Sequence, residues 1–163
     1  MKFPKLNRKR EKTERAIEED WTMDYWRWAV KQRDGFVCQQ SRMPGDFKSL
    51  AAHHIFSRGK SSVKYSIDDG VTLRHGNHFN AHKYPEKFRD WIIGWMGSEK
   101  HAALKLKAGQ NTHLRWNELW VIRGDLAQDF LKFGGSPEKL KEIDSIYQAR
   151  LERLARKKLK IKP

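Results

Sequence analysis

Apolar residues along this chain recur mainly at helical spacing, broken once by two short runs of a different kind. From about Thr13 to Arg33, Ile17, Trp21, Tyr25 and Trp28 lie on one face, and Met23, Trp26 and Val30 widen it, which predicts an amphipathic helix ended by "RDGF". The polar stretch "QQSRMPGDFKS" has no period, and its Pro-Gly marks a turn. "LAAHHIF" at 50–56 is short, apolar and bounded by turn residues, so it reads as a strand, and "GVTL" at 70–73 as a second. About fifteen residues rich in Ser, Lys and Asp separate them, and a loop of that length in a small domain is usually functional.

Helical spacing then returns. "GNHFNAHKY" places His78 and His82 four apart on one helical face. Pro85 suits the first turn of "PEKFRDWIIGWMG", whose stripe is Phe88, Trp91, Ile92 and Trp95, with Gly97 as its end. Leu119, Ile122, Leu126, Phe130 and Phe133 suggest a helix from about Thr112 to Phe133. "GGSPEKL" supplies a stop, a Ser cap and an N1 proline for a last helix carrying Leu140, Ile143, Tyr147, Leu151 and Leu154. The resulting class is α+β, mostly helical. "YWRW" at 25–28 suits base stacking as well as a core, and its helical spacing favours the core.

Charge narrows the choice of partner. The 163 residues hold 34 Lys and Arg against 20 Asp and Glu, a formal charge of +14. A polyanion is the first inference, and DNA or RNA fits better than a membrane, because no run of about 18 apolar residues exists. "MKFPKLNRKREK" lacks the apolar core of a signal peptide, so a cytoplasmic location is expected. Residues 1–12 read as a basic flexible arm, with Lys9 and Arg10 as phosphate contacts. "RKKLKIKP" forms a second basic tail with Lys157 and Lys158 in the same role. Cys38 is the only cysteine, which excludes an internal disulfide and a four-cysteine zinc site.

The histidines carry the chemistry. A hairpin with a helix across it can bring His53, from the end of the first strand, beside His78 and His82. Neutral imidazoles so placed suit one divalent cation, with positions left for water and phosphate. Adjacent strand residues point to opposite sides, so His54 is free to act as a base.

"AHHIFSRGK", "DDGVTL" and "NHFNAH", residues 50–83, resemble the HNH endonucleases. The strand "HHI..R" followed by a "PxxFxxW" helix looks like the phage-encoded branch, and the histidine spacing is similar to that of the colicin DNases. The resemblance implies a central ββα-metal (His-Me finger) unit, about 49–84, inside a nuclease domain at 13–136, followed by a basic helix and tail at 137–163. It implies a DNA endonuclease that nicks or cleaves with little sequence specificity, in a bacterial host cell. His53, His78 and His82 would hold one divalent ion (Mg²⁺, Mn²⁺, Ni²⁺ or Zn²⁺), and His54 would be the general base.

Arg58 is the expected phosphate contact, with an ordinary surface arginine as the alternative. Lys60, Lys64 and Arg74 are further DNA-binding candidates. Asp69 stands where the family has the Asn that orients the base; as a carboxylate it could accept the His54 Nδ1 proton and raise the His54 pKa. Asp68, a backbone carbonyl, or a mere turn role for Asp69 stay open. Two CxxC pairs of many relatives match Cys38-Gln39-Gln40-Ser41 and Arg74-His75-Gly76-Asn77 here, so no structural zinc ribbon is expected. Other phage or host DNA-processing proteins are expected partners, and monomer and dimer are both open. The alternative is an HNH-fold DNA-binding or recombination accessory protein with weak or no turnover; a purely structural zinc site is the third reading.

Overall fold

The computed structural model describes residues 13–110 and 112–160. Its order is α1 (Glu14–Arg33), β1 (Leu50–His54), β2 (Gly70–Arg74), α2 (His75–Lys83), α3 (Pro85–Met96), α4 (Ser98–Ala108), α5 (Leu119–Lys132) and α6 (Pro137–Lys160). The class is α+β: helices dominate, and β1 and β2 form a two-stranded antiparallel sheet. The arms' candidates Lys9 and Arg10 lie outside the described residues.

α1 begins where Thr13 caps it, its side chain accepting from the Ala16 N–H. Its aromatic stripe is core. Trp21, Tyr25 and Trp26 are buried with Leu126 and Phe130 of α5 and Ile143 and Tyr147 of α6. Asp144 accepts from the Trp21 indole at 3.0 Å and from the Tyr25 hydroxyl at 2.5 Å, while Tyr147 donates to Asp24. Hydrogen bonding and apolar burial therefore tie α6 to α1 along the same contact. No helix among the described residues is long and apolar enough to cross a membrane.

A two-stranded sheet is marginal alone, and here helices cover both faces. Val71 and Leu73 face a second core with Phe88 and Ile92 of α3, and Ala52 faces the α1 side. β2 approaches α1 so closely that a Cβ at Gly70 would lie 2.4 Å from Val30 and 2.9 Å from Trp26. The outer edge of β2 is paired by side chains. Arg33 donates to the Ile67 and Gly70 carbonyls at 2.5 and 2.8 Å, and Asp34 Oδ2 accepts from the Thr72 N–H at 2.8 Å. These bonds replace part of the ladder a third strand would supply.

One helix was not anticipated and one boundary needs correction. Residues Ser98–Ala108 form α4, which apolar spacing did not announce because only Leu104 and Ala108 are buried. The helix expected from Thr112 starts later, with a 3-10 turn at Trp116–Glu118 and α5 proper at Leu119; Arg115 N donates to Glu118 at 3.0 Å and closes that turn. The apolar period itself begins at Leu119, so the preceding "THLRWNE" had nothing to bury as a helix. Where zinc-binding cysteines were absent from the sequence, Cys38 Sγ instead contacts Asn77 Oδ1 at 3.7 Å and receives the Ser41 N–H at 3.4 Å.

Candidate metal centre

β1 ends in His53 and His54, opposite Val71 and Gly70 in the antiparallel register. Alternation sends the two rings to opposite faces. His53 turns toward α2 and α3, and its ring meets Phe88 edge-on at 4.8 Å. α2 crosses that face, and its helical repeat brings His78 and His82 there together. The three rings form a nearly equilateral triangle, with centroids 4.8 Å (His53 to His78), 4.9 Å (His53 to His82) and 4.8 Å (His78 to His82) apart. One ligand nitrogen from each lies within 4.8 Å of the others, so the cluster could hold a metal ion.

The protonation state suits that. His53 is pushed down to about 3, first by burial and then by the neighbouring His78, His82 and His54. His78 is lowered by burial first, then by His82 and His75. Neutral imidazoles present lone pairs, the form a cation requires. None of the three rings is hydrogen-bonded to another described residue, so no protein group competes for those lone pairs among them.

His54 lies on the opposite face, stacked on Trp26 of α1. Its Nε2 is 2.9 Å from the Lys64 carbonyl. A carbonyl only accepts, so Nε2 carries the proton and Nδ1 keeps its lone pair. Trp26 is itself held, its indole N–H donating to the Ser66 carbonyl at 2.8 Å. The loop 55–69 thus fixes both members of the stack, and its buried Val63 and Tyr65 anchor it.

Asp69 is placed differently from the expectation. The hydrogen bond from His54 to its carboxylate is absent, and the carbonyl alternative is the one formed. Asp69 Oδ1 accepts from the Phe56 N–H at 2.8 Å, while Oδ2 is buried without a partner. Burial pushes the Asp69 carboxyl up to about 8, only partly offset by Phe56. His54 is accordingly not raised. Burial lowers it, the Lys64 carbonyl opposes that, and the charges of Arg58, Arg27 and Lys64 lower it further.

Two clefts meet at the histidines. One, of about 550 Å³, runs between α1 and the hairpin and is lined by Arg27, Lys31, Lys48 and Arg58 as well as by His75 and the four site histidines; among the described residues no acidic one lines it. Lys31 is buried, donates to the Phe47 carbonyl at 2.9 Å, and is pushed down to about 8 by burial first. The other cleft, of about 570 Å³, opens on the far side of His53 and His54. Its walls are Ile55, Phe56, Phe88 and Ile92, with Glu86, Arg89, His101 and Lys105 also lining it.

Among the residues singled out in the sequence, His53, His54, His78, His82 and Arg58 come together. Lys60 is exposed two residues beyond Arg58. Lys64 pairs with Glu19 at 3.6 Å. Arg74 sits at the opposite end of the hairpin from His54, against Met43 at 3.1 Å, and lines neither cleft. Lys158 pairs with Glu14 at 3.5 Å, at the start of α1, and Lys157 neighbours it on α6. Sequence reasoning passed over Arg27 and Lys31, whose i,i+4 spacing on α1 reads locally as an ordinary solvated pair. Trp26, where helical spacing favoured the core over base stacking, is core and also the partner on which His54 stacks. Comparison of the chain with protein families, with curated proteins and with solved structures found no match.

Proposed function

We propose that this chain is a metal-dependent DNA endonuclease of the HNH type, phage-encoded, that nicks or cleaves DNA with little sequence specificity. The β1–β2–α2 segment is read as the ββα-metal unit of that family. The carrying observation is the convergence of His53, His78 and His82 on one face of the strand end whose other face presents His54. The basic cleft beside them supports a phosphate-backbone substrate.

His53, His78 and His82 would hold a divalent cation, which when bound neutralises charge on the scissile phosphate and on the departing oxygen. His54 Nδ1, left unprotonated by the Lys64 contact, takes the proton of the attacking water. Arg58 offers its fork of donors to a phosphate oxygen. Arg27, Lys31 and Lys48 extend the positive lining. Asp69 positions the turn after β1 through Phe56 rather than touching His54.

A second reading keeps the scaffold as a DNA-binding accessory protein without turnover, and the absent Asp69–His54 contact favours it. Supercoiled plasmid at low salt, with Mg²⁺, Mn²⁺, Ni²⁺ or Zn²⁺ in turn, separates the two. Metal-dependent open circles from wild type but not from His54→Ala support the nuclease. Intact plasmid under every condition, from folded protein that still shifts DNA in a gel, supports the accessory role.

A further inference from the structure

The two clefts differ in kind, and that difference bears on the form of DNA bound. A sugar-phosphate backbone needs cationic donors, which the α1–hairpin cleft supplies. The second cleft is walled by Ile55, Phe56, Phe88 and Ile92, side chains with nothing to offer a phosphate. Phe56 and His101 stand with ring centroids 5.4 Å apart and planes 33° from parallel, both lining this cleft. Glu86 there would repel a phosphate but can accept from an exocyclic amino group. Arg89 and Lys105 supply positive charge to a phosphate of the same strand. The volume of about 570 Å³ lies within the ordinary range for a small-ligand site.

We infer that this second cleft is a nucleobase pocket, and that the substrate class is DNA with an unpaired or extruded base next to the phosphate held at the histidines. The inference rests on the nuclease reading for the position of that phosphate. In a duplex the base must first leave its stack, at a cost of a few kcal/mol, whereas single strands, flaps and bulges carry no such cost. The protein therefore selects DNA by structure, through a pocket that accepts a base of any identity with an aromatic face. Phe56 and His101, in contact with each other, form one aromatic wall on which the base stacks, and Glu86 and Lys105 meet the polar edge and the neighbouring phosphate.

Binding measured in chelator tests this apart from cleavage. Fluorescence anisotropy of the full chain compares a labelled 12-nucleotide single strand, the same strand made of abasic residues, and the matching duplex. Wild type is expected to bind the base-containing strand about tenfold or more tighter than the abasic one, within the range of base–aromatic stacking. His101→Ala, an exchange on the half-buried face of α4, should reduce that ratio severalfold with duplex binding unchanged. Phe56→Leu keeps apolar bulk and its backbone N–H, and should act likewise. An equal affinity of wild type for the two strands, or a ratio untouched by both variants, overturns the pocket. Plasmid nicking run in parallel separates the two readings: nicking without base discrimination removes the pocket alone, and base discrimination without nicking under any metal removes the nuclease and leaves the pocket.

Discussion

The Trp26 indole and the His54 imidazole lie face to face, with centroids 3.9 Å apart and planes 11° from parallel. A core residue of α1 is thus also the floor under the proposed base. Trp26→Leu keeps apolar bulk and removes the flat surface. Nicking is expected to fall by up to about 10²-fold, the scale of a small misplacement of a reacting group, with Ni²⁺ affinity unchanged by titration calorimetry. Trp26→Ala, by contrast, should cost about 3–5 kcal/mol of stability in denaturant melts.

His53 and His54 separate by function in single substitutions. His54→Ala should lower nicking by about 10²–10⁴-fold and leave metal and DNA binding intact. His53→Ala should lose metal binding. If His54→Ala cleaves at the wild-type rate, the base lies elsewhere.

Metal should stabilise the fold through its histidines. At about 100 times its Kd, Zn²⁺ or Ni²⁺ adds ~2.7 kcal/mol to the unfolding free energy, seen as a raised Tm over chelated protein. His78→Ala should abolish the shift. A shift of equal size in the variant would place the ion at other residues.

Asp69 gives stability a pH dependence of known sign. Its folded pKa of about 8 stands above the ordinary carboxyl value near 4, so the folded chain holds the proton more tightly. The associated stability is complete below about pH 4 and is lost as pH rises toward 8, with a slope of at most about 1.4 kcal/mol per pH unit. Asp69→Asn keeps an acceptor for Phe56 and removes the titration. Its stability relative to wild type should therefore grow from pH 5 to pH 8 in urea melts; parallel profiles would refute the assignment.

Phosphate contacts are expected to show in salt dependence. Arg58→Ala and Lys48→Ala should each lower the slope of log K against log salt for duplex DNA by about 1. Arg74→Ala, away from both clefts, should leave the slope unchanged.

Much of this was legible in the chain. Helical spacing found α1, α3 and α6 because each buries a continuous stripe, and turn residues bounded both strands. The histidine cluster followed from alternation in a strand and four-residue spacing in a helix. α4 escaped because it buries little, and the start of α5 because a side-chain-closed turn precedes it. The role of Asp69 was not readable: which acceptor faces a ring depends on how the loop 55–69 folds back, and Lys64 won through a backbone carbonyl that no side-chain pattern records. The cationic lining from Arg27 and Lys31 needed the packing of α1 against the hairpin, a long-range contact that local spacing does not encode.

The bonds from Arg33 and Asp34 to the edge of β2 have a consequence for inheritance of the site. In a strand, sliding by one residue exchanges inside for outside, so a slipped hairpin would hand His54 to the three-ring cluster and leave His53 against the indole. A short ladder has few bonds with which to resist such an exchange. The end of α1 grips β2 at Gly70 and Thr72, where Gly70 fits beneath Trp26 and Val30, and Asp69 in turn accepts from the Ile55 and Phe56 N–H groups just after the two histidines, so the register that keeps them apart is held from both strands. Insertions in the loop between the strands should therefore be tolerated only outside the Lys64–Ser66 stretch that holds His54 and Trp26, and a substitution at Arg33 or Asp34 puts the division of labour at risk although neither lines a cleft beside the histidines.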